Sequence, residues 1–198
     1  MSSRQSALKI RSNRRNVIVG VVLVQIIVAG FLLVSRMNGG SEPDSQELTS
    51  AQEALRIGAD AQTNGNAAVA EDAYLRALEL DPRNKIAYYN LGVLEEDKAT
   101  GNRAEEFYQK ALGIDPNFVP ALFNMAVLRD TAGRPQEAAN LYRKVIELEP
   151  AMGEAHLNLG FLLVRELGQR EEGRKELLKA IVLDESLAKR VPKEDLEP

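Results

Sequence analysis

From Ala51 onward the apolar residues recur at helical spacing in short blocks, and the blocks themselves recur. At a spacing of 34 residues, Gly58, Gly92 and Ala126 fall in register, as do Ala70, Ala104 and Ala138, and Pro82, Pro116 and Pro150. Within one block Tyr88, Leu91 and Val93 mark a first helix, and Tyr108, Ala111 and Leu112 mark a second. Turn residues separate the two: Asn64 and Gly65, then Thr100, Gly101 and Asn102, then Gly133, Arg134 and Pro135. Each second helix stops at Asp81 and Pro82, Asp115 and Pro116, or Glu149 and Pro150, because proline cannot continue a helix ladder. The small residues at the eighth and twentieth positions of a repeat let its two helices cross closely, and bulk there would wedge them apart.

A different pattern precedes the repeats. Residues 17–34 are an 18-residue apolar run interrupted only by Gly20, Gln25, Ala29 and Gly30. A helix of that length reaches about 27 Å, close to the thickness of a bilayer core. The tail before it carries Arg4, Lys9, Arg11, Arg14 and Arg15 with no acid, whereas beyond Arg36 the nearest charges are Glu42, Asp44 and Glu47. This polarity predicts a basic cytoplasmic tail (1–16), a transmembrane signal-anchor helix (17–36) and repeats on the far side, in a periplasm, a lumen or the cell exterior. A cleaved signal peptide shares the polarity, but its apolar core is shorter and no small-x-small cleavage site precedes the linker. A buried core helix would show a polar face, which the run lacks. Residues 37–50, rich in Gly, Ser, Pro and acid, read as a flexible tether.

Charge and composition narrow the function. The first 36 residues hold six of the 25 basic side chains and none of the 29 acids, so the repeats are strongly acidic. An acidic surface does not offer the phosphate-neutralising contacts on which nucleic-acid binding rests. With no cysteine there is no lipid attachment through sulfur, no disulfide and no thiolate metal site. His156 is the only histidine, and at the fourth repeat position, equivalent to Tyr88 and Leu122, it is expected to pack between helices. Adjacent acids such as Glu95 and Glu96, Glu105 and Glu106, and Glu171 and Glu172 diverge by about a hundred degrees on a helix and are expected on solvated faces. In 198 residues four stacked helix pairs leave no room for a catalytic domain. The expectation is a protein that is not an enzyme, with no cofactor and no metal.

The recurring offsets resemble those of the tetratricopeptide repeat family across about 49–187. The resemblance implies an all-α, right-handed α-solenoid of about four helix-turn-helix repeats, at 51–84, 85–118, 119–152 and 153–187, preceded by one transmembrane helix and followed by a tail at 188–198. The fourth repeat keeps His156, Leu159 and Gly160 and, after a one-residue slip near Leu167 and Gly168, Leu177 and Ala180. There Gly173 takes the small second-helix position and Glu185 replaces the closing proline, a divergence that suits a capping repeat.

The same resemblance implies a concave groove lined by the first helices. At its fifth and ninth positions stand Leu55 and Ala59, Tyr89 and Val93, Phe123 and Val127, and Leu157 and Phe161; Asn90, Asn124 and Asn158 recur at the sixth. Gln62, Glu96 and Asp130 would supply a polar edge. Such an amide can hydrogen-bond the backbone of a peptide or helix without reading its side chains. Leu55 and Ala59 do not match the Lys and Asn with which the family clamps acidic carboxyl-terminal tails. The expected function is a membrane-anchored protein-interaction scaffold: an assembly factor, a chaperone-like adaptor or an accessory subunit of a membrane complex. In arrangement it is similar to the single-anchor bacterial repeat proteins that attend translocons, cytochrome maturation or photosynthetic complexes. The alternative is a structural subunit that self-associates, its groove or its exposed end filled by another copy or by residues 187–198.

Overall fold

The computed structural model describes residues 51–97 and 101–197. The expected tail, anchor and tether (1–50) lie outside the described residues, and within them no helix is long and apolar enough to cross a membrane. Among the described residues there are eight α-helices, two short 3-10 helices and no strand. They form two compact halves, divided after Ile114.

The first half comprises α1 (Ala51–Thr63), α2 (Ala67–Leu80), α3 (Lys85–Asp97) and α4 (Gly101–Ile114). Helices α1 and α2 pair, α3 and α4 pair, and α2 touches α3. The small eighth position has a definite occupant. A methyl group on Gly58 would lie 2.4 Å from the Tyr74 ring, and one on Gly92 would lie 2.5 Å from the Tyr108 ring. The glycine of the first helix is thus the seat of a tyrosine from the second. Burying a phenol requires a partner for its hydroxyl, and each finds one on the first helix: Tyr74 donates to Gln62 Oε1 and Tyr108 to Glu96 Oε1, both at 2.8 Å.

The connections are built from the expected turn chemistry. Gly65 ends α1 at φ +73°, a conformation that costs glycine little. There the Asn66 amide donates to the Ala61 carbonyl at 2.8 Å, and the Asn66 side chain accepts from Val69 N to cap α2. Asp81 accepts from the Arg83 amide at 3.1 Å, and Asn84 accepts from the Ala87 amide at 3.0 Å. An Asp-Pro pair therefore stops one helix and folds the chain into the next.

The outer face of α1 is unlike its counterpart on α3. Ala87, Leu91 and Leu94 of α3 are buried against Ala77, Ala70 and Tyr74 of α2. The equivalent residues of α1 are Glu53, Ile57 and Asp60, and Arg56 pairs with both acids at 2.7 Å. Ile57 remains 43% exposed among them.

The second half comprises α5 (Val119–Thr131), α6 (Pro135–Leu148), α7 (Gly153–Arg165), α8 (Arg170–Leu183) and the 3-10 helices η1 (Glu185–Arg190) and η2 (Lys193–Asp195). Proline stands in the first turn of α5 and of α6, where its missing N–H leaves no ladder bond unmade. The one-residue slip of the fourth repeat lies entirely in a turn. After α5 the closing bond runs from Arg134 N to Arg129 O (2.9 Å), whereas after α7 it runs from Gln169 N to Leu163 O (2.8 Å), one residue more. The shift of one then carries through α8, where Gly173, Leu177 and Ala180 are buried. A methyl group on Gly160 would meet Leu177 Cγ at 2.7 Å and the Gly173 carbonyl at 2.9 Å, so the backbones of α7 and α8 nearly touch.

Beyond 187, where the sequence predicts a tail after the last repeat, packing continues through η1 and η2. Leu187 and Val191 are buried with Leu157, Leu177 and Ala180, and Leu196 packs at their margin.

Candidate partner-binding surface

The expected groove residues lie on α1, α3, α5 and α7, and each half presents its own share. In the first half Leu55 is half-buried and packs beside α2. Tyr89, on α3, is only 2% exposed, its ring 5.7 Å from that of Tyr108. Val93 is buried. Asn90 is 1% exposed, and its Oδ1 has no hydrogen-bond partner among the described residues. A desolvated, unpaired acceptor costs about 1–3 kcal/mol.

The second half uses its counterparts differently. Phe123 is buried with its ring edge-on to Tyr142 at 5.7 Å, and Asn124 and Val127 are buried too. Asn158 is half-buried, and its amide donates to the Tyr142 hydroxyl at 3.4 Å. Leu157 is wholly buried beneath the chain's own C-terminal segment. Phe161 is half-buried, with the Arg165 guanidinium 4.2 Å from its ring centre. Burial, aided by the Asp130 charge, pushes the Tyr142 phenol well above its ordinary range; burial and Asp60 do the same to Tyr74. Both hydroxyls remain protonated donors across the neutral range.

Gln62 and Glu96, expected to edge the groove, are instead the acceptors of buried tyrosines. Glu95 corrects a second expectation: it is buried, not solvated, and lies 3.5 Å from Arg103. Glu172 pairs with Arg143 at 2.9 Å. His156 is buried, its Nδ1 2.6 Å from Glu176 Oε2 and its Nε2 3.0 Å from the Pro150 carbonyl. It ties α8 to the loop before α7. Among the described residues no group of His, Asp and Glu is arranged to hold a metal ion.

Sequence reasoning missed two sets of residues. One is the tyrosine and its acceptor, twelve positions apart at 62 and 74 and at 96 and 108, a spacing the sequence repeats at 130 and 142. The other is the C-terminal contact set around Arg165 and Asp195, whose signal was the apolar spacing of Leu187 and Val191.

A model of the tetratricopeptide repeat matches residues 51–117 and 123–188. The chain belongs to the tetratricopeptide repeat family. Solved structures agree on the tetratricopeptide fold. MamA is similar at 23% identity over 73% of this chain and 84% of its own, with a TM-score of 0.62. The structure of pilF from Pseudomonas aeruginosa is similar at 23% identity over 68% of this chain and 61% of its own, TM-score 0.62. An O-GlcNAc transferase mutant from Thermobaculum terrenum matches at 22% identity over 72% of this chain but only 27% of its own, TM-score 0.61. At these identities the likeness is one of fold. No curated protein matches this chain significantly. Tetratricopeptide arrays generally mediate protein–protein interactions, and stacked helix pairs of this kind expose extended faces suited to that use.

Proposed function

We propose that this tetratricopeptide protein is a non-enzymatic scaffold, anchored in a membrane by residues 17–36, that holds a peptide or helix of a partner protein on the extracytoplasmic side as an assembly factor, chaperone-like adaptor or accessory subunit of a membrane complex. The observation that carries the binding role is Asn90. Its unpaired acceptor lies beside Tyr89 and Val93 on α3 at 1% exposure, so a partner reaches it only as the neighbouring side chains move, and a donated backbone N–H would then relieve the desolvation cost. The anchor and its orientation rest on the apolar run and the basic tail before it.

Because Tyr89 is buried against Tyr108, truncating it would unsettle folding and binding together. Asn90→Leu is nearly isosteric and separates them. It removes the unpaired carbonyl, so the thermal midpoint should stay level or rise, while partner recovered by mild-detergent purification from native membranes should fall by about tenfold, the equivalent of one lost hydrogen bond at a desolvated site. Undiminished recovery with Asn90→Leu would remove the role assigned to this wall. For topology, a cysteine introduced at Ser45 should be labelled by an impermeant thiol reagent in cells or spheroplasts, and one at Ser6 should be protected. The reverse pattern would invert the orientation.

A further inference from the structure

Repeats stack because the first helix of one pair covers the apolar face of the pair before it, as Ala87, Leu91 and Leu94 of α3 do on α2. The equivalent face of α7 and α8 is covered by residues 185–197, with two short 3-10 turns in place of a helix. The segment's backbone hydrogen bonds are local, such as Leu187 N to Asp184 O (3.0 Å) and Leu196 N to Lys193 O (2.9 Å). Side chains hold it down. Leu187 and Val191 fill the apolar seat around Leu157, with Phe161 and Val164 at its edge. Arg165 donates through Nε (3.1 Å) and Nη2 to Oδ2 of the buried Asp195 while lying over Phe161. Arg190 pairs with Glu154, and Arg170 donates to the Glu194 carbonyl at 3.1 Å. Apolar anchors in a pocket and a charge-assisted lock, on a segment with no α-helix, describe a bound peptide more than a core helix.

We propose that this face is a peptide-recognition seat, that residues 185–197 occupy it as a ligand in cis, and that it takes in trans a partner peptide of the same chemistry. That chemistry is two apolar side chains spaced like Leu187 and Val191, followed at the spacing of Asp195 by an acid that docks on Arg165. The inference rests on the reading of the chain as a partner-binding scaffold, but it uses a wall of the second half that Asn90→Leu leaves untouched. A tethered ligand faces its site at a millimolar effective concentration, so the seat stays shut to weak competitors and opens to a partner that binds better or when the segment is weakened. A terminal segment whose backbone–backbone bonds are local, in short 3-10 turns, opens more readily than the helices beneath it, which makes it displaceable.

The test adds a fluorescent synthetic peptide of residues 184–197 to the detergent-solubilised full chain and follows its anisotropy. The double variant Val191→Ser/Asp195→Ala, which loosens the segment in cis, should bind the peptide at least about tenfold more tightly than the unaltered chain, because the tethered competitor has been weakened. Adding Arg165→Glu should abolish the gain, and a peptide carrying Asp195→Arg should recover part of it, a charge-swap rescue that a merely structural contact would not give. Equal binding by the unaltered and double-variant chains would overturn the proposal, and so would a gain that survives Arg165→Glu. Should the double variant lose its cooperative helical melt, Asp195→Ala alone keeps the apolar packing and decides the matter by the same comparison. Loss of peptide binding with retained Asn90 dependence of partner recovery would reject the seat and leave the scaffold role standing.

Discussion

The two halves solve one packing problem in two ways. In the first, both pairs lay a tyrosine of the second helix on a glycine of the first and satisfy its hydroxyl twelve residues back, at Gln62 or Glu96. In the second, the last pair has Leu177 over Gly160 and a second glycine, Gly173, so the backbones themselves come together and no hydroxyl needs an acceptor. Val164, apolar, stands where the acceptor stood in earlier repeats. The residue pair changes as a pair: a polar side chain at the twelfth position is the requirement of a tyrosine, not an independent surface feature. Between these extremes α5 and α6 pack with Ala126 at the small position, and the Tyr142 hydroxyl is met from α7 by Asn158.

The comparison breaks most severely at Leu177, which has no polar tether to share its load. Leu177→Ala should cost about 2–5 kcal/mol, as large-to-alanine changes in cores do, and should loosen η1 with it. Urea unfolding followed by circular dichroism, with limited proteolysis after Leu183, measures both; cleavage unchanged there would mean that the terminal segment does not depend on this side chain. Gly92→Ala comes next. Alanine is the better helix former, yet its methyl group would meet the Tyr108 ring, and a net loss of about 1–3 kcal/mol is expected from overpacking. A stabilised Gly92→Ala protein would show that the ring moves aside freely.

Alkaline titration sharpens the contrast through the phenols. Burial raises Tyr74 and Tyr142 above the unfolded value of about 10, so their contribution is intact below that pH and is lost as pH rises beyond it. Stability should then fall by about 1.4 kcal/mol per pH unit for each phenol. Tyr142→Phe should remove one share of that slope in thermal melts at stepped pH, and an unaltered slope would contradict the burial of its hydroxyl. The smallest effect belongs to Ala126→Gly, which removes one buried methyl group together with helix propensity, the latter about 0.5–1 kcal/mol. A loss as large as that of Gly92→Ala would erase the distinction between the halves.

Helix pairing and turn positions were legible because Gly65, Gly133 and the Asp-Pro stops act locally, through backbone conformation and side-chain caps. The role of a polar residue on a first helix was not. Gln62 and Glu96 look alike whether they edge a groove or receive a tyrosine, and the choice depends on a ring arriving from another helix. Glu95 misled for the same reason, since its burial is set by tertiary contacts that helical spacing alone does not disclose. Leu157 has a groove position by repeat count, but the segment that covers it follows no repeat rule and offered only the spacing of Leu187 and Val191.

The ion pairs of Arg56 with Glu53 and Asp60 bear on what the chain does at high concentration. Repeat arrays stack by a head-to-tail contact, and a head-to-tail contact that does not close generates an open filament. Such growth needs an apolar leading face and an apolar trailing face. Here the leading face of α1 carries paired charges around Ile57, and any incoming helix would strip water from all three. Residues 185–197 already lie across the trailing one. Each half thus carries its own stop in an otherwise extensible architecture: paired charges on the outer face of α1 in one, a folded-over segment of the chain in the other.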